Sequence, residues 1–235
     1  MMRKISEANK IFFSNLILFG SIVLTVWLPG SILLVYLRLY VFPGTTGGNE
    51  IQMFVQEYRV SNLIELAFGP LYVGAILHAA SQLKQGLHPT YRQSMAYAAT
   101  RSFKLLMTRI GTGLIVFVGL IALVIPGIVL LLRFALIDAI VVLAGLEGAS
   151  ARNLSVKLTK GKRWKILGTM ILTFVGIALT IALVSLCLYL PLSLTGQTEN
   201  FVIALICECI TNLLLALPVI ILFLFYWDAK NQIEE

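Results

Sequence analysis

The sequence predicts an all-α fold, a polytopic membrane bundle of six transmembrane helices, and three observations carry that reading. The 235 residues are 59% hydrophobic and 12% charged, with a mean hydropathy of +0.92. A soluble domain is about 45–50% apolar and about 25% charged, so this chain holds more apolar surface than a water-facing core of its length could hide. The apolar residues fall into six runs of the ~20 residues needed to cross a bilayer core. The basic residues cluster between those runs.

The spans are placed at about Leu16–Leu37, Ser61–Leu83, Leu105–Val124, Gly127–Leu146, Ile166–Leu190 and Phe201–Tyr226, making residues 1–235 one integral membrane domain. Met1 to Lys10 is basic and leads into an apolar run reaching Val41. A signal-peptide core is only ~7–15 residues and ends at a small-residue cleavage site, so this run reads as a retained first span. The third and fourth spans form one apolar block, Ile110 to Leu146. As a single helix it would be ~55 Å long, too long for a ~30 Å core unless steeply tilted, which would give five spans. Ile125-Pro126-Gly127 offers a turn instead, since Pro interrupts the hydrogen-bond ladder and Gly accepts a tight bend. The spans then pair as three hairpins. Phe42–Val60, with its Gly44-Thr45-Thr46-Gly47-Gly48 run, and Pro191–Asn200 read as short outer connections.

Lys and Arg concentrate on the cytoplasmic side of a membrane protein. With both termini inside, fifteen of the 18 basic residues fall on that face, Arg109 among them; Arg38 and Arg59 fall outside and Arg133 lies within a span. The net charge of +7 is thereby explained without nucleic acid, which is excluded as a partner because no continuous basic face exists. The Asn153-Leu154-Ser155 sequon is on the same inner side and is set aside. Cys187, Cys207 and Cys209 sit in apolar runs and read as small packing residues.

The two large inner connections repeat at an offset of 61 residues. Ser94 matches Ser155, Arg101 matches Lys162, Phe103 matches Trp164, Lys104 matches Lys165, and Thr108 matches Thr169. Asn9-Lys10-Ile11-Phe12 is a fainter third copy. Two amphipathic helices are expected here, at about 90–103 and 150–160. Thr90 and Gln93 would form a capping box, Ser150 would cap the second, and Gly161 would end it. Lying in the inner interface, these segments would either anchor the spans or use Arg101, Phe103, Lys104, Lys160, Lys162, Arg163, Trp164 and Lys165 to meet anionic lipid headgroups or a protein partner.

From Ile125 to Trp164, the pattern Ile125-Pro126-Gly127-Ile128, Arg133, Ser155, Leu158-Thr159-Lys160-Gly161 and Trp164 is similar to the signature of the membrane-domain family of glycerophosphoryl diester phosphodiesterases and related six-helix bacterial inner-membrane proteins. The resemblance covers about 40 residues sharply and the rest only in hydropathy. It implies a membrane fold in a bacterial inner membrane. The catalytic barrel that accompanies this region in the phosphodiesterases has no counterpart, and His78 and His88 lack a matching carboxylate cluster, so the resemblance brings no activity with it.

Charges at bilayer depth cost at least ~2.5–3.5 kcal/mol on insertion scales. Glu65, Arg133, Asp138 and Glu208 lie inside predicted spans, and Glu65, Arg133 and Glu208 count to ~6, ~9 and ~10 Å from the outer ends. Arg133 is therefore expected to pair with Glu208 or Glu65, either as a buried ion pair that fixes packing or as a site for a polar ligand, a headgroup or protons. Asp138, about 140° around the helix from Arg133, should face elsewhere or meet Arg133 only through the long guanidinium arm. Pro29, Pro70 and Pro218 fall inside spans, as packing kinks or as breaks that line a transport path. No nucleophile–base pair, phosphate loop, metal-ligand spacing or cofactor motif is evident. The expected function is a non-catalytic accessory or lipid-interacting factor supporting membrane organisation or assembly of a partner complex, acting alone or as a homo-oligomer. A small transporter or channel using the charged cluster is the alternative, and an intramembrane enzyme a more remote third.

Overall fold

The computed structural model describes residues 1–194 and 200–234; residues 195–199 of the predicted Pro191–Asn200 connection lie outside it. The described residues form helices and no strands: α1 (Met2–Ser14), α2 (Leu16–Tyr36), α3 (Phe42–Thr46), α4 (Glu50–Lys84), α5 (Tyr91–Ala122), α6 (Val124–Arg133), α7 (Ile137–Ala139), α8 (Gly148–Thr159), α9 (Arg163–Leu194), α10 (Phe201–Leu214) and α11 (Ala216–Glu234). One π-helical turn, Leu37–Val41, joins α2 to α3, and another, Ile140–Ala144, extends α7. Six segments are long and apolar enough to cross a membrane, which makes this an integral membrane helical bundle.

The segments pair as three hairpins: α2–α3 with α4, α5 with α6–α7, and α9 with α10–α11. In each pair the returning segment is the more buried over its most apolar stretch, 61% against 33%, 39% against 22% and 50% against 11%. The returning helices thus form the centre and the outgoing helices face lipid. Ile76, Ala80, Ile140, Val141, Ile220 and Phe223 are fully buried where α4, α7 with its π turn, and α11 meet.

The repeat is a repeat of packing. Ser94, Ala98, Leu105, Thr108, Thr112 and Val116 are buried along α5, and their counterparts 61 residues on, Ser155, Thr159, Ile166, Thr169, Thr173 and Ile177, are buried along α8 and α9. The first copy has the same spacing of four, seven, three, four and four residues: Ala8, Phe12, Phe19, Ile22, Val26 and Gly30. Its register is set by this buried stripe. Ile17, Phe103 and Trp164 occupy one position of the three copies and are 88%, 68% and 80% exposed.

The start of each copy packs against the returning helix of the hairpin before it. Ala98 meets Gly74 of α4 so closely that a Cβ there would lie 3.1 Å from the Ala98 Cβ. Ser155 on α8 bonds the end of α6. In α1, Lys4 donates to the Leu224 carbonyl at 3.1 Å and pairs with Asp228 at 2.6 Å, both on α11, which closes the ring. Lys84 at the end of α4 bonds Glu7, and Lys162 donates to Gln232 at 2.5 Å, so both termini share the basic end.

Several expectations need correction. The first amphipathic segment is helical and carries the Thr90–Gln93 capping box, but it runs unbroken into the third span as α5, because nothing between 91 and 122 interrupts the ladder. The second, α8, starts after Glu147 rather than at Ser150; its Gly148 N–H is taken up by the Thr108 hydroxyl at 3.1 Å. Gly161 does follow its end, with φ of +75°. The N-terminal segment is itself a helix, α1, with only Ala8 and Phe12 buried.

The second hairpin turns at Leu123, in extended conformation, before the Pro-Gly pair. Pro126 is the third residue of α6, where its missing N–H breaks no bond within the helix. Gly127 lies so close to Leu120 that a Cβ would meet its backbone Cα at 2.8 Å. The predicted outer connection at Phe42–Val60 is mostly helical. Only positions 47–49 interrupt it: Gly47 and Gly48 have φ of +58° and +77°, and Asn49 caps α4 through the Gln52 N–H. Pro29 and Pro70 lie inside helices, whereas Pro218 opens the first turn of α11 after a break at Leu215.

Candidate functional site

The predicted pairing of Arg133 with Glu208 or Glu65 is not what the fold makes. Asp138 takes Arg109, in a two-toothed contact from Nε at 3.0 Å and Nη2 at 2.6 Å. Glu208 meets Arg38 at 3.6 Å, and the same guanidinium is bonded by Glu57. Arg133 makes no ion pair among the described residues, and its Nε is buried without a partner.

The reason is a broken return helix. α6 stops at Arg133, Phe134 and Leu136 take φ, ψ near −101°, 6°, and α7 resumes at Ile137. The depth and angle counted along a straight helix therefore do not apply beyond Arg133. The break would strand a carbonyl and an N–H in the protein interior, at about 1–3 kcal/mol each. The Ser155 hydroxyl takes both, donating to the Arg133 carbonyl at 2.8 Å and accepting from the Leu136 N–H at 3.4 Å. The Thr159 hydroxyl adds a longer contact to that carbonyl. Gly127, Arg133, Ser155 and Thr159 of the quoted pattern thus hold a turn and a helix break together.

Two of the four predicted cluster residues do converge, on a different arginine. Glu65, Glu208 and Arg109 face one cavity of about 370 Å³ between α2, α4, α10 and α11. Its polar wall includes Ser31, Tyr72, Thr211 and Asn212, and its apolar wall Trp27, Leu34 and Phe174. Glu65 is exposed and Tyr72 buried, so the cavity opens beside Glu65 and closes at Tyr72. Glu65 is 15 residues into α4, about 22 Å from its start, well within the membrane-crossing stretch.

Helix irregularities shape this space. Gly30 follows Pro29, and a Cβ on it would sit 2.7 Å from Ile64, so α2 and α4 touch there. Gly69 precedes Pro70, and a Cβ on it would be 3.2 Å from Glu65 Cγ and 3.5 Å from Arg109 Nη1; the missing side chain leaves the two charged groups in one space. The break at Leu215 bares the Asn212 carbonyl, which the Tyr72 hydroxyl reaches at 3.4 Å, while Asn212 Nδ2 donates to Ser31 Oγ at 3.0 Å. Arg38, Glu57, Arg109, Ser31 and Asn212 were not expected at a site from sequence. Asn212, a lone amide inside a span six residues before a proline, was the available signal.

The basic set is partly engaged within the fold. The Arg101 guanidinium lies over Tyr97, 5.9 Å from its ring, and against Gly145. Lys104 pairs with Glu147 at 3.4 Å, and Lys162 bonds Gln232. Arg163 has a buried Nε without a partner. Lys160, Lys165, Phe103 and Trp164 are exposed and point away from the bundle's interior contacts. Cys187, Cys207 and Cys209 are free thiols, and no group of three or more His, Cys, Asp or Glu side chains that could hold a metal ion occurs among the described residues.

No family model, curated protein or solved structure matches the chain.

Proposed function

We propose that this is a non-catalytic, lipid-interacting membrane protein whose intramembrane cavity receives the polar head of an amphiphile. The observation that carries the reading is the cavity itself: about 370 Å³, with Glu65, Arg109 and Glu208 facing inward and an exposed mouth on a helix whose neighbouring Leu63, Leu66 and Phe68 face outward. Ligand sites span roughly 300–1,000 Å³ and combine apolar walls with a few polar groups. This volume suits a headgroup and the first few carbons behind it, with the remaining chain lying along the outer helix surface. Charges at this depth cost enough that three facing one open space are better accounted for by a ligand than by packing alone.

In this reading the basic end lies at the cytoplasmic face of a bacterial inner membrane, with Lys160, Lys165 and Trp164 toward anionic headgroups, and the protein supports membrane organisation or a partner complex. The resemblance of the Ile125-to-Trp164 stretch to the membrane domain of the phosphodiesterases supports the setting. The test is native mass spectrometry of the detergent-extracted protein beside Gly69→Leu, which fills the cavity between Glu65 and Arg109. Wild type should carry a co-purified amphiphile that Gly69→Leu loses while keeping its melting temperature. Equal occupancy in both proteins would refute the reading. Three helices carry prolines beside this cavity, Pro29, Pro70 and Pro218, which favours a transporter as the second reading; substrate flux in proteoliposomes that Gly69→Leu blocks would establish it.

A further inference from the structure

The charges around the cavity do not balance. Among the described residues Arg109 is the one cation in its wall, and its guanidinium is already matched by both oxygens of Asp138. Glu208 has Arg38 at 3.6 Å, but that arginine is shared with Glu57. Glu65 forms no ion pair among the described residues, although its Cγ and Arg109 Nη1 lie 3.2 and 3.5 Å from where a Cβ on Gly69 would stand. The network therefore sets two arginines against four carboxylates, and the surplus falls on the two glutamates that face the open space. A bound cation would balance that surplus. The wall at the closed end is aromatic: Trp27 and Tyr72 meet edge to face with ring centroids 5.6 Å apart. Aromatic faces attract organic cations, as carboxylates do. An acidic head would meet Glu65 and Glu208, and among the described residues of the wall no arginine lacks a carboxylate partner.

Building on the amphiphile reading, we propose that the cavity selects a positively charged nitrogen, a primary or quaternary ammonium carried by an apolar body, held by Glu65 and Glu208 against Trp27 and Tyr72. The ammonium could belong to a phospholipid headgroup or to a free organic amine. Either would replace the missing countercharge without a covalent step.

The experiment uses the delipidated full-length protein, native mass spectrometry and three probes: phosphatidylethanolamine, phosphatidylglycerol and benzyltrimethylammonium. Wild type should bind one of the two nitrogen-bearing probes at a site that Gly69→Leu abolishes, and the one bound identifies the source, lipid or free amine. The double variant Glu65→Gln with Glu208→Gln should weaken that probe about tenfold, the expected scale for losing charge-assisted contacts. Phosphatidylglycerol should bind only outside the cavity, unaffected by Gly69→Leu. If phosphatidylglycerol is the probe that Gly69→Leu displaces, or if the glutamine variant keeps full affinity for the ammonium, charge selection is overturned and the amphiphile reading stands. If Gly69→Leu displaces none of the probes, both fall.

Discussion

At the scale of single residues, the contact with most at stake is Arg109 with Asp138. Both lie in membrane-crossing segments, and the two-toothed geometry satisfies the guanidinium on the side away from the cavity. Removing one partner leaves an unmatched charge at depth; a fully buried pair would lose about 3–5 kcal/mol, and this pair, 29% and 31% exposed, should lose less. Asp138→Asn and Arg109→Gln should each lower the melting temperature in detergent markedly, and the double variant should be less damaged than the two losses summed. Additive losses would mean the two groups do not act as a pair. Arg133→Gln, by contrast, should leave the stability of Glu65 and Glu208 variants unchanged, because no ion pair joins them. Sequence reasoning found the carboxylates, since hydropathy exposes any charge inside an apolar run. It assigned them the wrong arginine for two reasons. The rule that places basic residues in the inner loops moved Arg109 out of the membrane, while α5 is one helix from Tyr91 to Ala122 and carries Arg109 past its midpoint. The direction of Asp138 was counted around a helix that in fact ends at Arg133.

At the scale of elements, the irregularities rather than the regular helices distinguish this chain. Six spans and three hairpins were legible because apolar run length and proline placement are local properties of sequence. The breaks at Phe134–Leu136 and Leu215 were not, because each depends on a partner from elsewhere in the chain to receive the freed backbone groups. For the first break that partner is Ser155, fully buried, 22 residues from the carbonyl it caps. Ser155→Ala should strand the Arg133 carbonyl and Leu136 N–H together and cost about 2–4 kcal/mol, read as a fall in melting temperature and faster proteolysis between α7 and α8. Thr180→Ala removes an equally short hydroxyl contact, 2.8 Å to the Gly176 carbonyl, from an exposed position on α9, and should be close to neutral. Equal effects from both changes would mean that the serine does not hold the break. The cavity was out of reach of sequence for a related reason: it is a space left by Gly30, Gly69 and a helix break meeting from three segments, and no run of residues encodes it.

At the scale of the molecule, the three copies form a ring rather than a row. Each copy's first helix lies on the returning helix of the preceding hairpin, so a linear chain of three such units would leave the first unit's stripe uncovered. The contact of α1 with α11 covers it. That contact gathers Ala8 and Phe12, both fully buried, together with the pair Lys4 with Asp228, and Glu7 pairs beside it with Lys84 of α4. The repeat in sequence was visible where residues of like chemistry coincide, as Ser94 with Ser155, Lys104 with Lys165 and Phe103 with Trp164. Its first copy was nearly hidden, because packing conserves the spacing of buried positions and not their chemistry: Ala8, Ser94 and Ser155 share one place. If ring closure holds the bundle together, an N-terminal change should unsettle the far end of the chain. Phe12→Ala should cost about 3–5 kcal/mol, the range for a buried aromatic, and should also speed hydrogen exchange in α11. Phe13→Ala, at the neighbouring but 58% exposed position, should alter neither. Zero-length carboxyl–amine coupling in native membranes should join Lys84 to Glu7 and Lys4 to Asp228, and Phe12→Ala should diminish both products together. Loss of stability in Phe12→Ala with unchanged exchange in α11 would show that the helix is a local cap and that the ring does not close through it.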